Sequence, residues 1–204
     1  MRFLSKIPVI VCFFLTSQSM AQHSGHGEHH NHSASNVSKS AQQSKLSDES
    51  IYNLQAPLLD EDGKKVTLES LKGMPVVISM AYTTCAYACP MIIAKMQQIE
   101  KELDAKKKKA RFVLVSFDPK KDTPKVISEY KKKRKLDSDW TLFTAESDKS
   151  PREIANLLGI KYKEIEGGDY DHSFIITVLD SEGVILGQQI GANKDPKDLA
   201  KLIK

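Results

Sequence analysis

The chain has 204 residues, a formal net charge of +4 and only 7% aromatic residues. That length suits one ordinary domain with additions at its ends. The basic residues gather in short clusters and no nucleic-acid-binding motif is present, so a nucleic-acid partner is set aside.

Residues 1–21 read as a secretory signal. Arg2 and Lys6 form the charged start, Ile7 to Leu15 the apolar stretch, and Ser19-Met20-Ala21 the small residues before a cleavage point. The apolar stretch is well short of the roughly 20 residues that span a bilayer, and Pro8 interrupts it. The expected location is therefore the periplasm, across the inner membrane, with no firm membrane anchor. An uncleaved signal anchor is the alternative. Ile10 and Val11 are too bulky for a lipid-attachment site at Cys12. Cleavage removes Cys12 and leaves Cys85 and Cys89 as the only thiols. A secreted chain with one such pair is no disulfide scaffold; the pair is either redox-active or a soft-metal site.

Residues 22–50 carry no apolar period and are rich in Ser, His, Gln and Asn, the signature of a disordered tail. His23, His26, His29, His30 and His32 take five of the six histidines of the chain. Such crowding suits a secondary metal-collecting arm for Cu(II), Zn(II) or Ni(II), because neutral imidazole serves all three. A polar spacer is the plainer reading.

The folded domain is expected over residues 51–204. Ile51 to Leu54 and Lys65 to Leu68 read as short strands around a turn at Asp62-Gly63. Pro75 to Ala81 is a continuous apolar run, as in a strand buried on both faces. From Pro90 the positions Ile92, Ile93, Met96, Ile99 and Leu103 keep a helical period that ends in Lys106 to Lys109. Arg111 to Phe117 is the next buried strand, and Asp122-Thr123-Pro124 opens a second helix. Trp140 to Phe143 is a short strand. Ser150-Pro151-Arg152-Glu153 reads as a capping box, with Ile154, Leu157 and Leu158 inward and Gly159 as the stop. Ser173 to Leu179 and Val184 to Ile190 form a hairpin, and a last helix follows Asp195-Pro196 with Leu199, Leu202 and Ile203 inward. This order describes an α/β domain with a central mixed sheet and an N-terminal β-hairpin. The lysine runs 106–109 and 131–135 fall at helix C-termini, where cations oppose the helix dipole.

The chemistry centres on Cys85 and Cys89, at a strand-to-helix junction where first-turn amides favour the thiolate. Thioredoxin-like oxidoreductases carry Cys-x-x-Cys, whereas the wider Cys-x-x-x-Cys suits chelation better than fast thiol exchange without excluding it. The one histidine of the folded domain, His172, precedes a buried strand and is the candidate third ligand.

Cys85-x-x-x-Cys89-Pro90, the segment Val115-Ser116-Phe117-Asp118-Pro119-x-x-Asp122-Thr123-Pro124, and Asp171-His172-Ser173 before an apolar strand resemble the Sco/SenC family over residues 51–204. The resemblance implies a thioredoxin-like fold carrying copper, with Cys85, Cys89 and His172 as ligands and Asp118 as an acidic neighbour or partner contact. It further implies a copper chaperone, not an enzyme, whose partner is a copper-enzyme acceptor such as a cytochrome oxidase subunit. Many members carry Pro-Asp between the cysteines, where this chain has Ala86-Tyr87-Ala88.

The competing reading is a thiol-disulfide oxidoreductase that reduces a partner's cysteines, with Cys85 attacking and His172 dispensable. A peroxiredoxin would require Pro and Thr where Ile78 and Tyr82 stand. A generic thioredoxin would be expected to place a proline opposite the thiols, and none lies within Tyr170 to Phe174.

Overall fold

The computed structural model describes residues 46–86 and 88–204. The segment read as a secretory signal and the histidine cluster lie outside the described residues. The first described segment turns through a 3-10 helix at Ile51–Asn53, where a strand is expected from the sequence. Tertiary anchoring explains the difference. Ser50 is buried; its hydroxyl accepts the Tyr52 amide and donates to the Glu182 carbonyl, while the Ile51 amide donates to Gly183 O at 3.0 Å. Ser50, grouped with the tail on composition, is thus part of the folded unit.

The N-terminal hairpin is present, but its first strand is β1 (Leu58–Leu59), pairing antiparallel with β2 (Lys65–Val66). Asp60 builds the turn by accepting the amides of Asp62 and Lys64, and Gly63 takes the positive φ of +79° that the turn needs. Leu68–Leu71 is a second 3-10 helix.

The main sheet is formed by β3 (Val76–Ala81), β4 (Arg111–Ser116), β5 (Trp140–Phe143) and two later strands, β8 (Ile175–Leu179) and β9 (Ile185–Ile190). Its order is β5-β4-β3-β8-β9, parallel across β3, β4 and β5 and antiparallel at β8 and β9. All six residues of β3 are buried, which is why its sequence is continuously apolar rather than alternating. Helix α1 (Ala88–Ala105) buries Cys89, Ile92, Ile93, Met96, Ile99 and Leu103, the periodic face read from the sequence. Helix α2 (Pro124–Lys133) is capped by Thr123, whose hydroxyl accepts the Val126 amide, and ends in Lys131, Lys132 and Lys133.

Helix α3 (Lys149–Leu157) starts earlier than the capping box suggests: Asp148 is its cap residue and Ser150 is buried in its first turn. The shift rotates the stripe. Ile154, Ala155 and Leu158 face the core, while Leu157 is 44% exposed. Two three-residue strands follow, β6 (Tyr162–Glu164) and β7 (Tyr170–His172), pairing as a hairpin where the sequence suggests only a loop. They are too short and too polar to show a period-2 pattern. The closing helix α4 (Lys197–Ala200) buries Leu199 and Ala200, with Ile203 beyond it. Leu202 is half-buried against β9, its Cδ1 end lying 2.6 Å from where a Cβ on Gly187 would stand.

Candidate metal centre

The C-terminal end of β3 is where the site forms. The chain leaves the sheet at Ala81, turns through Tyr82 to Cys85 and enters α1 at Ala88. Cys89 therefore lies inside the first helical turn, and Cys85 stands before it, where its sulfur accepts the Cys89 amide at 3.3 Å. This sulfur cap holds Cys85 just ahead of the helix that carries Cys89. The Cys89 sulfur accepts the Tyr82 amide at 3.5 Å. Both cysteines are buried, and both are thiols.

His172 ends β7. Its Nδ1 lies 3.1 Å from Ser173 O and donates to that carbonyl, so Nε2 keeps its lone pair. Nε2 sits 3.7 Å from the Cys89 sulfur. The donor atoms of Cys85, Cys89 and His172 all lie within 4.8 Å of one another, the one such metal-type cluster of three among the described residues. Residues 87 positions apart in sequence supply it because β8 returns antiparallel beside β3, bringing the end of β7 to the end of β3.

Aromatic side chains wall the site. The Phe117 ring lies 5.1 Å from the His172 ring and stacks on Tyr162 at 4.9 Å; the Tyr82 ring meets Tyr170 edge-on at 5.3 Å. Burial pushes the Cys89 thiol well above its ordinary pKa, against the lowering expected from the helix terminus. Desolvation outweighs one turn of amides in so enclosed a place. A bound cation reverses that preference by taking the proton's place. Burial also lowers the pKa of His172, opposed by the Ser173 carbonyl and Asp171, which keeps the imidazole neutral and able to ligate. Two soft sulfurs and a neutral imidazole form a donor set that fits Cu(I) or Zn(II) and offers nothing to hard cations.

Asp118 is buried, with Oδ2 3.4 Å from the Lys121 ammonium. Lys121 in turn donates to Gly168 O at 2.6 Å, so Asp118 connects to the β6–β7 turn and not to the three donor atoms. The tail histidines His23, His26, His29, His30 and His32 lie outside the described residues.

Two residues at the site escape sequence reasoning. Asp122 reads there only as part of a helix start, yet it is buried and clamps the cysteine loop. Its Oδ2 accepts the Thr83 amide at 3.0 Å and the Ser116 hydroxyl at 2.6 Å, and its Oδ1 accepts the Thr83 hydroxyl. Burial raises its pKa, while these hydrogen bonds oppose the rise. Sequence reasoning assigns Tyr82 no part in the site, yet its amide donates to the Cys89 sulfur and its hydroxyl accepts the Tyr170 amide at 3.3 Å; burial, first, pushes its pKa up to about 12. A signal for Asp122 was present in its position four residues after Asp118 in the same motif; for Tyr82 there was none.

Residues 46–204 match the family model described as SCO1/SenC. The chain belongs to the SCO1/SenC family. It is 32% identical over 143 residues to a SCO1 protein homolog of Bacillus subtilis, covering 68% of this chain and 74% of that protein. The crystal structure of Arabidopsis thaliana ScoI with copper bound superimposes with a TM-score of 0.64 at 25% identity, covering 71% of this chain and 90% of that one. BsSco, described with a disulfide switch and as a member of the Sco family of cytochrome c oxidase assembly proteins, gives 0.62 at 26% identity over 71% and 86%. The mixed sheet with its flanking helices is the thioredoxin-like arrangement of these Sco structures.

Proposed function

We propose that this protein is a copper metallochaperone acting in the periplasm, which holds copper on Cys85, Cys89 and His172 and hands it to a respiratory copper enzyme such as the CuA site of cytochrome c oxidase. The observation that carries the reading is the convergence of the three donor atoms within 4.8 Å. Copper in the Arabidopsis relative and the oxidase-assembly role given for BsSco support it. Copper supplies a soft cation that displaces both thiol protons. The residues do the rest: Ser173 O orients the imidazole, and the aromatic wall limits water around the sulfurs. Acceptor thiolates would then replace the two cysteines in stepwise exchange, which makes the chain a carrier and not an enzyme.

A second reading has its own observation. The adjacent thiols could close a disulfide, giving two protons and two electrons to a partner's disulfide, which would be reduced to two thiols. The variant His172→Ala separates the two. In residues 44–204, which avoid the tail histidines, it is expected to weaken Cu(I) binding at least tenfold and to alter the visible thiolate-to-Cu(II) absorption. If affinity and absorption both stay unchanged, the three-ligand site is wrong. Undiminished reduction of insulin disulfides by the same variant would then favour the oxidoreductase.

A further inference from the structure

The hairpin that carries His172 stands outside the main sheet. Strands β6 and β7 have three residues each, pair with one another and take no place in the order β5-β4-β3-β8-β9. So short a hairpin is marginal in water unless other parts of the chain hold it. The position of the third metal-binding side chain therefore depends on what docks the hairpin.

Much of the dock is one loop, the one that follows β4. At the base of the hairpin, the Phe117 ring packs against the rings of Tyr162, Tyr170 and His172 at 4.9, 5.2 and 5.1 Å. From the cysteine side, the Tyr82 hydroxyl accepts the Tyr170 amide at 3.3 Å. At the tip, the Lys121 ammonium donates to Gly168 O at 2.6 Å. The same ammonium lies 3.4 Å from Asp118 Oδ2, an ion pair too long for a strong hydrogen bond. Asp118 is 2% exposed, and this oxygen has no hydrogen-bond partner, so its charge is offset chiefly by Lys121. The buried carboxylate thus fixes a positive charge against a backbone carbonyl of the tip. The turn leaves space for it: Gly168 takes a φ of +75°, and a Cβ there would stand 3.3 Å from the ammonium.

We propose that Lys121, backed by the buried charge of Asp118, is a positioning residue that latches the β6–β7 hairpin and thereby holds His172 at the metal. The inference rests on the copper reading above. Neighbouring residues of one loop then serve the two halves of the site. Asp122 clamps the cysteine loop through Thr83, and Lys121 clamps the histidine hairpin through Gly168. Opening the latch withdraws His172 while both sulfurs stay in place, so the third ligand can be given up ahead of the thiolates when copper is handed on.

Lys121→Met keeps the length of the side chain and removes its charge and its donor. In metal-free residues 44–204, the amides of β6 and β7 are expected to exchange with deuterium roughly three- to tenfold faster, with β3 and β8 unchanged. That is the scale of one charged hydrogen bond discounted for partial exposure. Lys121→Arg keeps charge and donor and should stay close to wild type. His172 is the one histidine of residues 44–204, so imidazole-nitrogen hyperfine coupling in the EPR spectrum of the Cu(II) form reports on it alone. In Lys121→Met that coupling should weaken, and Cu(I) affinity should fall by roughly three- to tenfold. Simple loss of a nearby positive charge would instead strengthen the binding of a cation. In a His172→Ala background, Lys121→Met should cause no further fall in affinity. A folded Lys121→Met with wild-type hairpin exchange overturns the proposal, as does faster exchange with undiminished nitrogen coupling and affinity. A fall that persists without His172 overturns it too. Asp118→Asn should speed the same amides, and unchanged exchange there would overturn the part given to Asp118. Wild-type protein that binds no copper would sink the copper reading and the role at the metal with it, whereas the latch itself is decided by exchange in metal-free protein.

Discussion

Asp122→Ala is the most informative single change outside the ligands. It removes the acceptor for three donors at once: the Thr83 amide, the Thr83 hydroxyl and the Ser116 hydroxyl. Hydrogen bonds to a charged group contribute about 1.5–3 kcal/mol each, but the terms do not simply add. Thr83 is half-exposed and its groups can turn to water, whereas Ser116 is buried and its hydroxyl cannot. The raised pKa of Asp122 also shows that burial of its charge offsets part of the gain. The net loss is therefore placed at about 3 kcal/mol, the lower edge of what breaking a buried charged network costs. In a domain of this size that corresponds to a fall of roughly 6–12 °C in Tm. Urea unfolding of metal-free protein measures it. Because Thr83 stands two residues before Cys85, the same variant should bind Cu(I) roughly tenfold more weakly, as loss of outer hydrogen bonds does at other metal sites. Stability within about 0.5 kcal/mol of wild type, together with unchanged affinity, would refute the clamp.

Proton competition sets a pH dependence for metal binding. The Cys89 thiol, raised by burial, keeps its proton throughout the neutral range, so each unit fall in pH should cost about tenfold in affinity through this residue alone. His172 titrates below its ordinary value of 6.5 and adds a further proton, beyond those of the thiols, only in the acid range, steepening the slope there in a pH series of Cu(I) competition titrations. The same residue affects folding. Its folded pKa lies below the unfolded one, so its contribution is complete above pH 6.5 and is lost as pH falls through the folded value; in His172→Ala the acid loss of stability should be smaller. Gly183→Ala should destabilise by about 3 kcal/mol or more in urea unfolding, since the site needs a φ of +85° and an added Cβ would lie 2.6 Å from the Tyr52 ring. For the histidine cluster, equilibrium dialysis should find more Cu(II) on residues 22–204 than on residues 44–204; equal stoichiometry would make that segment a spacer.

The sequence by itself determined the long elements and singled out the three residues whose donor atoms converge. Strands β3 and β4 and helix α1 were legible because burial of a whole strand or of one helical face repeats over six residues or more, long enough to exceed chance. Cys85, Cys89 and His172 were legible because few residue types bind soft metals and the folded domain holds so few of them. Tertiary structure decided what short segments and shared polar atoms do. Ile51–Asn53 became a 3-10 helix through contacts with the distant Glu182–Gly183 turn, and β6 and β7 became strands by pairing with each other. The pKa of Cys89 was set by depth of burial, which a dipole argument from local sequence does not contain. Asp122 and Tyr82 acquired their roles only when β3, β4 and β7 converged on one end of the sheet, because a hydrogen bond to a sulfur loop depends on position in space and leaves no periodic mark along the chain.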